Sequence, residues 1–151
     1  MDKNIETVVN EQLNAEMWSS GLYIAIQVYF KSQQMPMLSS WLDMQIHRKF
    51  ERIRKMGEFL LSGGYVVSFD GLTCKAETWQ SPMLALDALF AHEQYFYRQV
   101  ADFLHWVRGV DDLTLRCLAF DLYADEMHMS DFVVELLRIL TKEGRRRLPL
   151  E

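Results

Sequence analysis

The sequence predicts an all-α protein, and three observations predict it. Apolar residues recur at helical spacing over long stretches, without the short alternating runs that are typical of strands. Only 7 Gly and 3 Pro occur among the 151 residues, so few positions interrupt a helix. The length is that of one domain with a sizeable core. We therefore expect a single domain over residues 1–151, built from long helices.

The few helix-breaking residues divide the chain into four helices. They are Met35-Pro36, Gly63-Gly64, Ser81-Pro82 and Gly109. Proline is tolerated at the start of a helix, serine caps it, and glycine commonly follows its last turn. The predicted helices are 4–32, 37–62, 82–108 and 112–141, followed by a tail, 142–151, that does not read as a fifth helix.

The lengths of the connections predict how these helices are arranged. Two of the three connections are short, so the helices that they join should be antiparallel neighbours. Residues 63–80 could extend to about 60 Å at ~3.3 Å per residue, enough to run back along the other helices. The predicted architecture is a four-helix bundle with a long crossover between the second and third helices.

Composition and charge exclude several classes of protein. The net charge of −5 argues against a nucleic-acid partner, and no stretch approaches the roughly 18 apolar residues of a membrane span. The N-terminal segment is too polar for a signal peptide, and Cys74 and Cys117 make no disulfide framework. We expect a soluble cytoplasmic protein without a nucleic-acid or membrane partner.

Ionisable residues fall on the apolar faces of all four predicted helices. In the second helix Lys49 and Arg52 lie within the apolar arc, whereas its other charged residues lie outside it. Glu16 and Glu93 lie in the middle of the apolar faces of the first and third helices. The fourth helix contributes a stripe that contains Asp121, Asp125 and His128.

Inward charges of this number require partners, because an unpaired ion in a low-dielectric core costs several kcal/mol. They can pair with one another or hold a cation. Alternatively, some of them belong to a hydrated edge or a subunit interface. His128 alone also fits a hydrogen-bonded core histidine, and Tyr23 fits a core tyrosine that donates to Glu93 or Glu16.

The segments NAEMWSSGLY (14–23), AHEQ (91–94) and DEMH (125–128) resemble those of bacterial non-haem ferritins. The resemblance extends from about residue 5 to residue 140. It implies a ferritin-like bundle with non-haem iron at a di-iron ferroxidase centre. The ligands of such a centre are a Glu on the first helix, Glu-x-x-His on the second, a Glu on the third, and acidic or amide residues on the fourth. Glu16 and Glu93 match directly, while Asp125 and His128 stand at the fourth-helix positions, with Asp121 as a further candidate.

The second helix departs from the family pattern. Lys49 and Arg52 occupy the Glu-x-x-His positions. Neither side chain binds iron at neutral pH, and each places positive charge where a cation would lie. Light-chain-type ferritin subunits make a similar replacement. We therefore expect salt bridges instead of metal at the bundle centre, weak or absent ferroxidase activity, and a role in iron storage or homeostasis.

The resemblance also implies an assembly. Trp18, Leu22 and Tyr29 form a second apolar stripe on the first helix, which predicts a homodimer packed through the first two helices. A larger ferritin-type shell, or co-assembly with an active ferritin subunit, remains open. Ferritin shells usually use a fifth helix, and this sequence shows none.

Two other functions fit the same residues. The first is a metal-binding, ferroxidase-like protein with a relocated site at Asp121, Asp125, His128 and Glu93. The second is an interaction protein that binds no metal and keeps only the bundle. Metal analysis of protein purified without chelator, together with its mass in solution, distinguishes these possibilities.

Overall fold

A computed structural model describes residues 3–71 and 79–144 of the chain. Four helices account for most of them: α1 (Lys3–Ser32), α2 (Pro36–Ser62), α3 (Pro82–Arg108) and α4 (Leu113–Gly144). No strand occurs within these two ranges, so the predicted all-α bundle is confirmed. The helix α4 continues three residues beyond its expected end. Cys74, in the crossover, lies outside the described residues, and so do residues 145–151 of the predicted tail.

The helix ends follow the local signals in the sequence. Pro36 is the first residue of α2, and Gln34, two residues earlier, has φ 58°, in the left-handed region that permits a tight turn. Ser81 Oγ accepts a hydrogen bond of 3.2 Å from the Leu84 amide and caps α3. Asp112 Oδ1 does the same for the Leu115 amide at 2.9 Å, at the start of α4.

The helices form two hairpins, α1 with α2 and α3 with α4, and these pack through α1 against α3 and α2 against α4. Within the described ranges, none of the helices is long and apolar enough to cross a membrane.

The first part of the crossover is tied to α1 by side chains one helical turn apart. Asn10 donates from Nδ2 to Val66 O and accepts from Ser68 N, both at 2.8 Å. Asn14 repeats this pattern with Ser68 O at 2.8 Å and Asp70 N at 2.9 Å. Spacing of i, i+4 places both asparagines on one face of α1, beside the extended segment. We call these contacts the asparagine ladder.

A polar layer divides the core into two apolar clusters. One cluster includes Val9, Leu13, Leu60, Val100 and Leu115. The other includes Tyr23, Phe30, Leu42, Leu89 and Met129. Between them lie five buried Glu, Lys and Arg side chains, which we call the charged belt: Glu16, Lys49, Arg52, Glu93 and Glu126. Every helix contributes at least one member of the belt.

Candidate functional site: the charged belt

The basic members of the belt are held by the apolar face of α2. Lys49 is 0% exposed and Arg52 is 6% exposed. They are three residues apart, so they lie on one side of the helix. Buried residues on the same side of α2, such as Ile46, Ile53 and Met56, direct that side into the bundle.

Arg52 joins three carboxylates from two other helices. Its Nη1 donates to Glu16 Oε1 at 3.0 Å and to Glu126 Oε1 at 2.9 Å. Its Nε donates to Asp125 Oδ2 at 2.7 Å. Asp125 also accepts from Arg48 Nη1 at 3.4 Å, nearer the surface. A guanidinium with its fixed fork of donors suits such a multiple contact, so Arg52 connects α2 to both α1 and α4.

Lys49 lies deeper than Arg52, between carboxylates and aromatic rings. Its Nζ is 3.6 Å from Glu16 Oε2 and 3.8 Å from Glu126 Oε1. The same Nζ lies 4.4 Å from the centre of the Phe96 ring and 4.9 Å from that of Tyr23. These ring faces attract a cation, and they separate the Lys49 amino group from water.

Tyr23 and Glu93 form the side of the belt nearest α3. The Tyr23 hydroxyl donates to Glu93 Oε1, as one of the two predicted alternatives had it. Burial and the neighbouring carboxylate Glu93 raise the pKa of Tyr23 well above its ordinary value. The phenol therefore remains a hydrogen-bond donor at neutral pH.

Glu126 is the member of the belt that the sequence analysis missed. It is 0% exposed and lies within reach of both Lys49 and Arg52. Burial together with the neighbouring Glu93 carboxyl raises the pKa of Glu126 to about 8, against the opposing effect of the two bases. The belt thus contains three buried acids and two buried bases. When Glu126 is protonated, the two remaining carboxylates balance the two bases.

The face of α4 that points into the bundle differs from the predicted one by one residue, since Glu126 is buried instead of Asp125. Asp121 and His128 are exposed, and Asp125 is only half-buried, at the rim of the belt. The buried face of α4 instead follows the series Leu115, Ala119, Leu122, Glu126, Met129 and Val133. The alternating spacing of four and three residues in this series is visible in the sequence and would have identified Glu126.

His92, next to Glu93, is buried against side chains of α1 and α3. Its Nε2 lies 2.7 Å from Ser19 Oγ, and its ring lies 5.4 Å from those of both Trp18 and Phe96, measured between ring centres. Burial, together with the nearby charge of Lys49, lowers the pKa of His92 to about 4. A neutral imidazole at this position packs as an aromatic residue with one satisfied polar atom.

The described side chains contain no group of three or more His, Cys, Asp or Glu residues that could hold a metal ion. Glu16 and Glu126 share Lys49 and Arg52 as ion-pair partners, and Glu93 adjoins Glu126, so the two bases lie among the carboxylates. The four residues of the relocated site are not brought together, because Glu93 is buried while Asp121 and His128 face solvent.

The three residues of the apolar stripe predicted on the outer side of α1 differ in their exposure to solvent. Trp18 is 49% exposed, and Leu22 is half-buried. Tyr29 is 8% exposed and contacts Trp79 edge-on, with the ring centres 5.7 Å apart. Trp18 and Leu22 therefore expose apolar surface, whereas Tyr29 is largely covered by its own chain.

Three features together indicate the class of protein: the four-helix bundle, its long crossover, and a central layer of carboxylates from α1, α3 and α4. A family model described as a ferritin-like domain matches residues 7–142. The chain belongs to the ferritin-like family.

Individual relatives are distant. A bacterial non-heme ferritin of Bacteroides fragilis (strain 638R) is 24% identical over 100 residues, which is 66% of this chain. The chain matches only 63% of that protein's length. A protein of Haemophilus influenzae, described as a probable bacterial non-heme ferritin-like protein, is 18% identical over 152 residues, covering 96% of this chain and 90% of the relative.

Solved structures share the fold. An open-pore ferritin from the archaeon Archaeoglobus fulgidus superposes with a TM-score of 0.84 at 20% identity, over 96% of this chain and 91% of the other. A humanized archaeal ferritin superposes with a TM-score of 0.87 at 20% identity, over 97% and 90%. At this level of identity the likeness establishes the fold alone.

Proposed function

We propose that this chain is a subunit of a ferritin-like iron-storage or iron-homeostasis protein in which ion pairs have replaced the metal at the bundle centre. The observation that carries the proposal is the burial of Lys49 and Arg52 between carboxylates of α1 and α4. Their positive charges offset those carboxylates where the family would place iron. The belt then stabilises the bundle without a bound metal.

The residues of the belt do not fit a resident di-iron centre. Carboxylate oxygens suit iron, and Glu16, Glu93 and Glu126 could supply them. However, an ammonium and a guanidinium have no lone pair to donate, and both repel a cation. Lys49 lies only 3.6 Å from the Glu16 oxygen that a metal would need. We therefore propose that ferroxidase activity at this position is weak or absent, and that any iron is cargo held elsewhere.

The assembly belongs to the same proposal. The exposed Trp18 and half-buried Leu22 support a homodimer through α1 and α2, because exposed apolar patches on a folded chain favour a partner surface. The names of the relatives support a ferritin-type shell, built from this chain alone or shared with an active ferritin subunit. We place the protein in the cytoplasm. No observation favours the relocated metal site or a role purely as an interaction protein.

The test combines iron chemistry with assembly. Protein purified without chelator is mixed with Fe(II) in air, and oxidation is followed by stopped-flow absorbance, alone and after reassembly with an active ferritin subunit. We expect no fast oxygen-dependent phase for the chain alone, and iron retained in mixed shells. A fast di-iron phase in the isolated chain would overturn the loss of the centre. Failure to form any assembly that retains iron would overturn the storage role.

A further inference from the structure

Tyr97 of α3 and Tyr123 of α4 face each other across the second hairpin. Their hydroxyl oxygens are 2.7 Å apart, so one hydroxyl donates to the other. The ring centres are 5.7 Å apart and the rings are tilted by 48°. Both side chains are half-buried. The packed helices therefore hold the two phenols in contact, while water and small solutes still reach them.

The other four tyrosines of the chain are placed differently. Tyr23 and Tyr29 are buried in the core. Tyr65 stacks on Phe59, with the ring centres 6.3 Å apart, and Tyr95 is exposed on α3. The contact between α3 and α4 thus differs from these in bringing together two phenols, the groups in a tyrosine that one-electron oxidants attack.

We propose that Tyr97 and Tyr123 form an oxidation site, at which one-electron oxidants such as the hydroxyl radical convert the pair into a dityrosine link. The product joins the two helices of the second hairpin by a covalent bond. The proposal goes beyond iron storage and does not depend on it. It assigns a reaction to two residues outside the charged belt.

The reaction balances with two equivalents of the oxidant. Each equivalent takes one electron from one phenol, and that phenol releases its proton to water. The unpaired electron of the resulting radical is spread onto the ring carbons beside the carbon that bears the oxygen. One such carbon from each ring forms the new C–C bond, and the hydrogens on these carbons move to the two oxygens. The oxidant is reduced by two electrons, and the chain loses two hydrogen atoms.

Proximity favours coupling between these two tyrosines. Tyrosine radicals on separate molecules must first meet, whereas Tyr97 and Tyr123 are already held together in one chain. Each reacting carbon adjoins the carbon that bears the hydroxyl, so the hydroxyl contact also brings these carbons near each other. After the first oxidation the radical oxygen has no proton, but it still accepts a hydrogen bond from the other hydroxyl. The contact therefore persists until the second oxidation.

The test treats the full chain with a photochemical one-electron oxidant, a ruthenium tris-bipyridyl complex with persulfate under visible light. We expect dityrosine fluorescence and a single-chain mass lower by two hydrogen atoms. Trypsin should release residues 76–98 joined to residues 117–138. The same treatment in urea should lose this joined peptide, because unfolding separates the two rings.

Two single variants identify the coupled residues. Tyr97→Phe removes one phenol and should abolish the joined peptide. Tyr95→Phe changes an exposed tyrosine of the same helix and the same tryptic peptide, and it should leave the link intact. A link that persists in Tyr97→Phe would overturn the proposal, as would dityrosine that forms only between separate chains.

The wild type alone can also decide the question. If the folded chain is oxidised but yields no joined peptide, the tyrosine contact only packs the hairpin, and the proposal is overturned without any variant having to fold. None of these outcomes bears on iron storage, because the experiment contains no iron.

Discussion

Arg52 donates to Glu126 Oε1 at 2.9 Å and so connects α2 to α4 between the two apolar clusters. Replacing Arg52 by methionine keeps much of its volume but leaves Glu16 and Glu126 without their guanidinium partner. We expect Arg52→Met to lower the free energy of unfolding by about 3–5 kcal/mol, measured by urea denaturation.

The matched control for this substitution is Arg54→Met on the exposed face of the same helix. Arg54 pairs with Glu51 and Glu58, which are also exposed. Such surface pairs contribute little, so this variant should be much closer to the wild type. Equal losses for the two variants would show that burial does not distinguish the ion pairs.

Stability should depend on pH through two buried groups with opposite signs. The pKa of Glu126 is about 8 in the folded chain, whereas its ordinary value is 4.5. Between these two pH values the folded state holds an extra proton, so the free energy of unfolding falls as pH rises. The pKa of His92 is about 4 instead of 6.5, so stability rises with pH across that interval. The two effects oppose each other below pH 6.5.

Above pH 6.5 the effect of Glu126 remains alone. We expect the unfolding free energy to fall by up to about 1.4 kcal/mol per pH unit towards pH 8. Glu126→Gln should flatten this decline, and the exposed Glu58→Gln should not. A wild-type profile that is level from pH 6.5 to 8 would contradict the assignment.

Restoring the family ligands should restore metal binding. Lys49→Glu with Arg52→His removes both cations from the belt and supplies an oxygen and a nitrogen ligand beside Glu16 and Glu93. We expect this double variant to bind Fe(II) at the bundle centre, measured by calorimetry under anaerobic conditions. The control is Lys55→Glu with Arg54→His, which makes the same replacements outside the belt. Equal binding by both would attribute the effect to surface charge.

The dimer should depend on the exposed part of the outer stripe on α1. Trp18→Glu with Leu22→Glu places two charges on the expected contact, so we expect soluble monomers by sedimentation velocity. The control is Phe120→Glu on α4, where the side chain is 59% exposed. A wild type that sediments as a monomer at micromolar concentration would contradict the dimer directly.

The asparagine ladder should protect individual amides. Asn10→Ala removes the acceptor of the Ser68 amide, and Asn14→Ala removes that of the Asp70 amide. Each variant should speed hydrogen exchange at its own amide and leave the other nearly unchanged, at a cost of about 0.5–1.5 kcal/mol per lost bond. Exchange that rises equally at both amides would indicate that the ladder opens as one unit.

The fold could be predicted because helix-breaking residues and the spacing of apolar residues are both visible in the sequence. Pro36, Pro82 and Gly109 lie where helices start or end. The inward positions of Lys49 and Arg52 followed from their place within the apolar arc of α2.

The face of α4 was harder to predict, because apolar residues occur on two adjacent stripes. Asp125 and Glu126 are consecutive, so a choice between them turns the helix by ~100°. The asparagine ladder could not be predicted from apolar spacing at all. The ladder joins polar side chains to the backbone of the crossover. The sequence indicates it only through the spacing of Asn10 and Asn14.

The charged belt also determines the register in which the two hairpins dock. Apolar side chains tolerate sliding past one another, but buried ions do not. Moving α4 by one turn, about 5.4 Å, would place Leu122 or Ser130 where Glu126 meets Lys49 and Arg52. Two buried cations would then lose a carboxylate partner, at a cost of several kcal/mol. The belt thus selects one alignment of the bundle among several that the apolar clusters alone would allow.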